Sequence, residues 1–232
     1  MNKEETGNNG EKTVSETVRE NYRTAAVFKR YSINYCCGGK WPVSMLCENA
    51  GLSIRELRRE LILETTPIQP VVYRQVLQWS VSFLSTFIKE VYYSYFEKQL
   101  PHILSEIENF ADGHRKKFPF LRELEPLVHE FGRSIKECLE FGKRDIDNTV
   151  QLPKIGHYSF IFLKNKECLL VLFSEMRWVT ENFTMAETAC TSHRVAFNLL
   201  KEMEAMLKDV FFLEEKLLER VNADSAVSSL AV

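Results

Sequence analysis

The sequence predicts an all-α chain in which a small helical N-terminal domain precedes an antiparallel bundle of four long helices. Three observations carry this prediction. Beyond Val71, apolar residues recur at helical spacing over long stretches. Prolines and turn-forming residues gather at a few places and separate those stretches. No strand-like alternation, glycine-rich phosphate loop or short-period repeat competes with a helical reading.

Taken in order, residues 1–12 are polar, rich in glycine and asparagine, and expected to be disordered. Thr13 and Glu16 form a capping-box pattern ahead of a short helix bearing Val14 and Val18, and residues 23–31 read as a second helix. Residues 34–39 interrupt it. Pro42 suits the first turn of a third helix ending at Gly51, and Ser53 with Glu56 caps a fourth that presents Leu57 and Leu61. These elements make a head over residues 13–64. The two prolines of TTPIQP mark residues 65–70 as a linker, since neither can continue a helix.

Residues 71–221 then read as the bundle. Val72, Val76, Trp79, Phe83, Phe87 and Val91 fall on one stripe of a single long helix, interrupted only near Pro101. Leu124, Leu127, Val128, Phe131, Ile135 and Leu139 mark a second helix, residues 160–179 a third and residues 195–221 a fourth. The turn-like QLPKIG and NFTMAET lie between the later ones, and short connections between long helices make neighbours antiparallel. Residues 222–232 are small, polar and aperiodic, and are expected to form a flexible tail.

Composition narrows the function classes. With 30 basic and 32 acidic side chains the formal charge is -2, which argues against a nucleic-acid footprint or a polybasic membrane surface. No apolar run approaches the ~20 residues that cross a bilayer, and MNKEETGNNGEK lacks the apolar core of a secretion signal. The expected location is the cytoplasm. There the 6 cysteines stay reduced, so their chemistry must be local. Nothing resembles a nucleophile–base–acid triad or a nucleotide site, which weighs against a conventional enzyme.

The segment NYRTAAVFKRYSINYCCGGKWPVSMLCENAGLS resembles the N-terminal domain of the ScdA type, whose hallmark is an aromatic-rich helix followed by an Ile-Asn-Tyr-Cys-Cys-Gly-Gly turn. In that family the domain precedes a hemerythrin-like four-helix bundle, where the bundle predicted here stands. The resemblance implies repair of iron-sulfur clusters damaged by nitric oxide or oxidants, a stress response carried out with a di-iron site inside the bundle. It implies a protein partner as well, an iron-sulfur protein among the candidates, and is compatible with a homodimer. Such a site draws one histidine from each helix plus bridging carboxylates. Aligned on KQLP, the TAC turn and FFLEEKLL, the four histidine positions become Tyr93, Glu140, Lys166 and Val210, and the two carboxylate positions become Arg144 and Glu214. Only Glu214 matches the pattern. The di-iron centre of the family is therefore expected to be absent, and Glu140, Arg144, Lys166 and Glu214 either form an internal ionic cluster in its place or are ordinary surface charges.

Other histidines do not restore the site. His102, with Glu106, lies opposite Tyr93 at ~100° per residue and is expected to face away from it; His129 is ~16 Å from Glu140 along the axis and reads as a core or bundle-end residue. His157 and His193 read as cap neighbours near helix starts, and His114 has no assigned role. Cys47, Cys138, Cys168 and Cys190 read as isolated thiols at helical positions, buried and inert. Cys36 and Cys37 are the remaining chemical candidates: Gly38 and Gly39 allow a sharp turn, while Lys40 and the following helix start favour thiolate. They serve as reactive thiols, with iron among the species they could hold, or merely pack the turn. Of the two, Cys36 is expected to be the more reactive.

Overall fold

A computed structural model describes residues 12–36, 39–66, 73–151 and 159–230. The described residues are helical apart from turns and one isolated bridge between Thr13 and Pro42, in accord with the all-α expectation. The chain divides into two compact units, residues 1–68 with 185–199, and residues 69–184 with 200–232. The first unit thus includes the start of the last helix, a stretch that the sequence division assigned to the bundle.

In the first unit, α1 (Val14–Glu20), α2 (Thr24–Arg30), α3 (Val43–Ala50) and α4 (Ile54–Thr65) bury Val14, Val18, Val27, Phe28, Cys47 and Leu57. Their ends follow local chemistry. Thr13 and Glu16 form the reciprocal capping box, and Ser53 accepts the Glu56 N–H. Pro42 stands just before α3, and Gly51 closes it in the left-handed conformation at φ 64°, where a side chain would be strained. The linker prolines Pro67 and Pro70 lie outside the described residues.

In the second unit, the expected single helix from Val71 is broken into α5 (Tyr73–Val76), α6 (Val81–Phe87), a π-helical turn (Ile88–Tyr93) and α7 (Ser94–His114). Ser80 causes the first break: its extended backbone ends the preceding turn and its hydroxyl caps the Phe83 N–H at 3.2 Å. The wider π turn then shifts the helical phase. The buried face is consequently Leu84, Ile88, Tyr92, Tyr93, Phe96 and Leu100, while Phe83 of the predicted stripe is exposed and meets Trp79 edge-on. Pro101 does not interrupt α7. It lies on an exposed face, where the carbonyl it leaves without an N–H partner can meet water.

Three further helices follow, α8 (Leu121–Gln151), α9 (Ser159–Val179) and α10 (Thr191–Leu230). Ion pairs fix their directions. Arg115 pairs with Glu125, Glu108 with His129, Glu97 with Lys143 and Lys89 with Asp147, so numbers rise along the first helical stretch as they fall along α8. Arg177 with Glu204 and Lys166 with Glu215 set α9 antiparallel to α10 in the same way. Large apolar side chains fill the interior, with Phe131 and Phe173 in edge contact at 4.9 Å. The predicted flexible tail is corrected as well: α10 continues to Leu230, in a sequence that offers no proline or glycine after Gly156 to stop it. No described helix is long and apolar enough to cross a membrane.

Candidate functional site

The six positions singled out in the bundle do not converge. Tyr93, Val210 and Glu214 are buried, whereas Glu140 and Arg144 leave 74% and 68% of their side chains in solvent and pair with each other at 3.6 Å, the Arg144 guanidinium also lying over the Phe141 ring. Lys166 is half-buried; it pairs with Glu215 rather than Glu214, its ammonium lying 5.4 Å from the Phe211 ring centre. The four-residue ionic cluster is therefore not formed. The reason is helical phase: α8 turns Ile135, Leu139, Gly142 and Ile146 to the interior, leaving positions 140 and 144 outside.

What occupies the interior instead is a hydrogen-bonded pair. The Tyr93 hydroxyl donates to Glu214 Oε1, and Glu214 Oε2 is buried with no hydrogen-bond partner among the described residues. Burial pushes the Glu214 carboxyl well above the usual carboxylate range, and the Glu215 charge adds to this; the Tyr93 hydrogen bond and Lys166 charge oppose it without prevailing. Gly142 makes room for this arrangement, because a Cβ there would overlap the Tyr93 hydroxyl. Cys138, one turn earlier on α8, has its thiol pushed up to about 12 by burial first and by the Glu214 charge second. Gly142 escaped the sequence reading, and Cys138 was read there only as an inert thiol.

A di-iron centre needs a shell of nitrogen and oxygen donors from all sides. The interior offers a phenol, one carboxyl with a raised pKa and a neutral thiol, while Val210 and Gly142 contribute no donor atom. Among the described residues no three His, Cys, Asp or Glu side chains are grouped to hold a metal ion. The residues present do not fit the group.

The histidines complete the account. His102 is half-buried, with Nδ1 3.7 Å from the buried Glu106 carboxylate, because α7 also buries Ile103, Glu106 and Ile107. His129 is exposed beside Glu108 at 3.4 Å and is not a core residue. His114 Nδ1 lies 3.0 Å from the Phe110 carbonyl. His193 is buried against Phe197, with ring centres 4.4 Å apart, and His157 lies outside the described residues.

The vicinal cysteines belong to the first unit. Cys37 and Gly38 lie outside the described residues, but Cys36 is placed by Asn34, whose Oδ1 accepts its N–H at 3.0 Å. Gly39 must be glycine here, since a Cβ would fall 2.5 Å from the Tyr35 carbonyl oxygen. The turn is tied to α1 by the Ser15 N–H donating to the Gly39 carbonyl at 2.9 Å, and α1 to the start of α10 by the Ser15 and Thr191 hydroxyls at 2.9 Å. This brings Cys36 to Cys190, the residue immediately before α10, and the two thiols are hydrogen-bonded. Cys190 is neither isolated nor in a helix interior. Cys168 departs from expectation too, being exposed, whereas Cys47 is buried as expected.

Residues 10–64 match the family ScdA_N, described as "Domain of Unknown function (DUF542)". Over longer spans the chain is similar to proteins named for iron-sulfur cluster repair. It is 21% identical to the iron-sulfur cluster repair protein ScdA of Staphylococcus haemolyticus, over 90% of this chain and 96% of the relative. It is 23% identical to the iron-sulfur cluster repair protein YtfE of Edwardsiella ictaluri, and 24% to that of Escherichia coli O8, each over 84% of this chain and 89% of the relative.

Proposed function

From a chain that carries a ScdA_N match and resembles iron-sulfur cluster repair proteins along most of its length, we propose a divergent repair protein of the nitrosative and oxidative stress response. It works without a di-iron centre in the bundle. The observation that carries the divergence is the Tyr93–Glu214 pair, in which a phenol hydroxyl stands where the resemblance implies an imidazole and donates to the one family carboxyl that is kept. The remaining chemistry falls to the thiols of Cys36 and Cys37, as nucleophiles or as ligands of iron in transit. The bundle serves as scaffold, the partner is a damaged iron-sulfur protein and the setting is the cytoplasm.

Recovery of a nitric-oxide-damaged [4Fe–4S] hydratase, with ferrous iron and a thiol reductant supplied, tests this reading. The chain should accelerate recovery, Cys36→Ser and Cys37→Ser should abolish the acceleration, and Glu214→Gln should leave it intact. No acceleration by the unaltered chain would reduce it to a regulatory or interaction module with the fold alone. Acceleration lost in Glu214→Gln but kept in both cysteine variants would put the chemistry back in the bundle.

A further inference from the structure

We propose that Cys36 and Cys190 form a thiol–disulfide exchange site that reacts with low-molecular-weight disulfides of the glutathione type and closes into a reversible intramolecular bond. The site stands on the packing of the first unit, and it holds whether or not the chain repairs clusters. Two segments far apart in sequence meet there. The Asn34 side chain fixes Cys36 through its backbone N–H, and the Gly39 N–H donates to the Cys36 carbonyl at 3.3 Å. On the other side, the Cys190 carbonyl accepts the Arg194 N–H at 3.1 Å, and Arg194 Nε returns to the Ala189 carbonyl at 3.2 Å. Both backbones are thus held from within, and the Ser15–Thr191 bond joins them.

The surroundings assign the two sulfurs different parts. Cys190 Sγ caps the first turn of α10, taking the backbone N–H groups of His193 and Ser192, and shares a hydrogen bond with Cys36. Cys190 Sγ is thus engaged by donors of its own helix start as well as by Cys36. Both sulfurs are partly exposed, and Cys36, which lies in a turn rather than at a helix start, is the one that reacts first. Its thiolate attacks one sulfur of the small disulfide, forming a mixed disulfide and releasing one small thiolate. The released thiolate takes the Cys190 proton, and the Cys190 sulfur, now a thiolate supported by the α10 N–H groups, attacks Cys36 Sγ and displaces the second. The protein loses two electrons and two protons, and the small disulfide becomes two thiols. Hydrogen-bonded thiols need only a side-chain-scale approach to reach the ~2 Å of an S–S bond.

Non-reducing peptide mapping of the full chain in a glutathione redox buffer tests the site. The reduced chain should convert to a species in which the tryptic peptide Tyr31–Lys40 is linked to Trp178–Arg194, and the link should persist in Cys37→Ser. Cys190→Ser, in which serine still caps α10, should instead accumulate the stable mixed disulfide on Cys36. Three results would overturn the proposal: a bond between Cys36 and Cys37 as the main product, a stable mixed disulfide on the unaltered chain, or no loss of thiols at Cys36 and Cys190. Helical circular dichroism of each variant excludes misfolding as the cause.

Discussion

The turn around Cys36 and the interior around Glu214 are the two chemically marked places in this chain, and they are built on opposite principles. The turn is held by backbone: Asn34, Gly39, Ser15 and Thr191 fix main-chain positions, so reactive side chains can be displayed at little cost. The bundle interior is held by side chains, and whatever fills it must suit a dry, close-packed space. A metal would neutralise buried carboxylates there. In this chain the Tyr93 hydroxyl donates to Glu214, burial pushes that carboxyl well above the usual carboxylate range, and Gly142 supplies the volume. A motif fixed by backbone persists as a readable string, whereas a site made of converging side chains can be replaced one helix at a time.

The largest effect that would sharpen this contrast is expected at Gly142. In an open helix position Gly→Ala stabilises by roughly 1 kcal/mol, and Gly113, with nothing within 4 Å of an added Cβ, should behave so. Gly142→Ala should reverse the sign and destabilise by about 3 kcal/mol, because the methyl takes the space of the Tyr93 hydroxyl. Urea midpoints of the two variants check this, and stabilisation by both would mean that the interior is loosely filled.

Tyr93→Phe comes next. It leaves Glu214 without the donor on Oε1 as well as on Oε2 and should cost about 1–3 kcal/mol in a denaturant titration. Glu214→Gln should act in the opposite direction. A carboxyl whose pKa is raised by folding binds its proton more tightly in the folded state, so stability falls as pH rises from the unfolded pKa of ~4.3 towards the folded one. Glutamine has no such loss. The variant should equal the parent near pH 4 and exceed it increasingly towards pH 7 in thermal melts, and a constant difference would show that Glu214 is not buried as a neutral acid.

The smallest effects belong to charges outside the interior. Lys166→Ala breaks a half-exposed pair with Glu215 and should cost below about 1 kcal/mol. Glu140→Ala and Arg144→Ala should each stay within roughly 0.5 kcal/mol. A loss of several kcal/mol at any of the three would restore the buried ionic cluster.

How much of this was legible in sequence follows the same division. INYCCGG, the Thr13–Glu16 box and the Gly51 stop are local signals, each with a short-range physical cause, and they mark the head directly. The four long helices were equally plain from their apolar spacing. The π turn before Tyr93 was not, because its wider winding leaves no residue signature, and it moved the buried face. On α8, Glu140 and Arg144 fall on the exposed face and Cys138 and Gly142 lie nearer the interior, since a periodic stripe fixes the face only when its phase is known. The contact between Cys36 and Cys190 spans most of the chain. The sequence reading began the last helix at residue 195, so the place of Cys190 directly before α10 was not legible either.

Iron analysis with a visible spectrum, on chain expressed in iron-replete cells and purified anaerobically, tests most directly whether the bundle interior works without metal. The chain should carry far less than two irons, show no absorption of an oxygen-bridged iron pair on exposure to air, and lose any residual iron in the Cys36→Ser, Cys37→Ser double variant. Two irons per chain, retained in that double variant, would contradict the account.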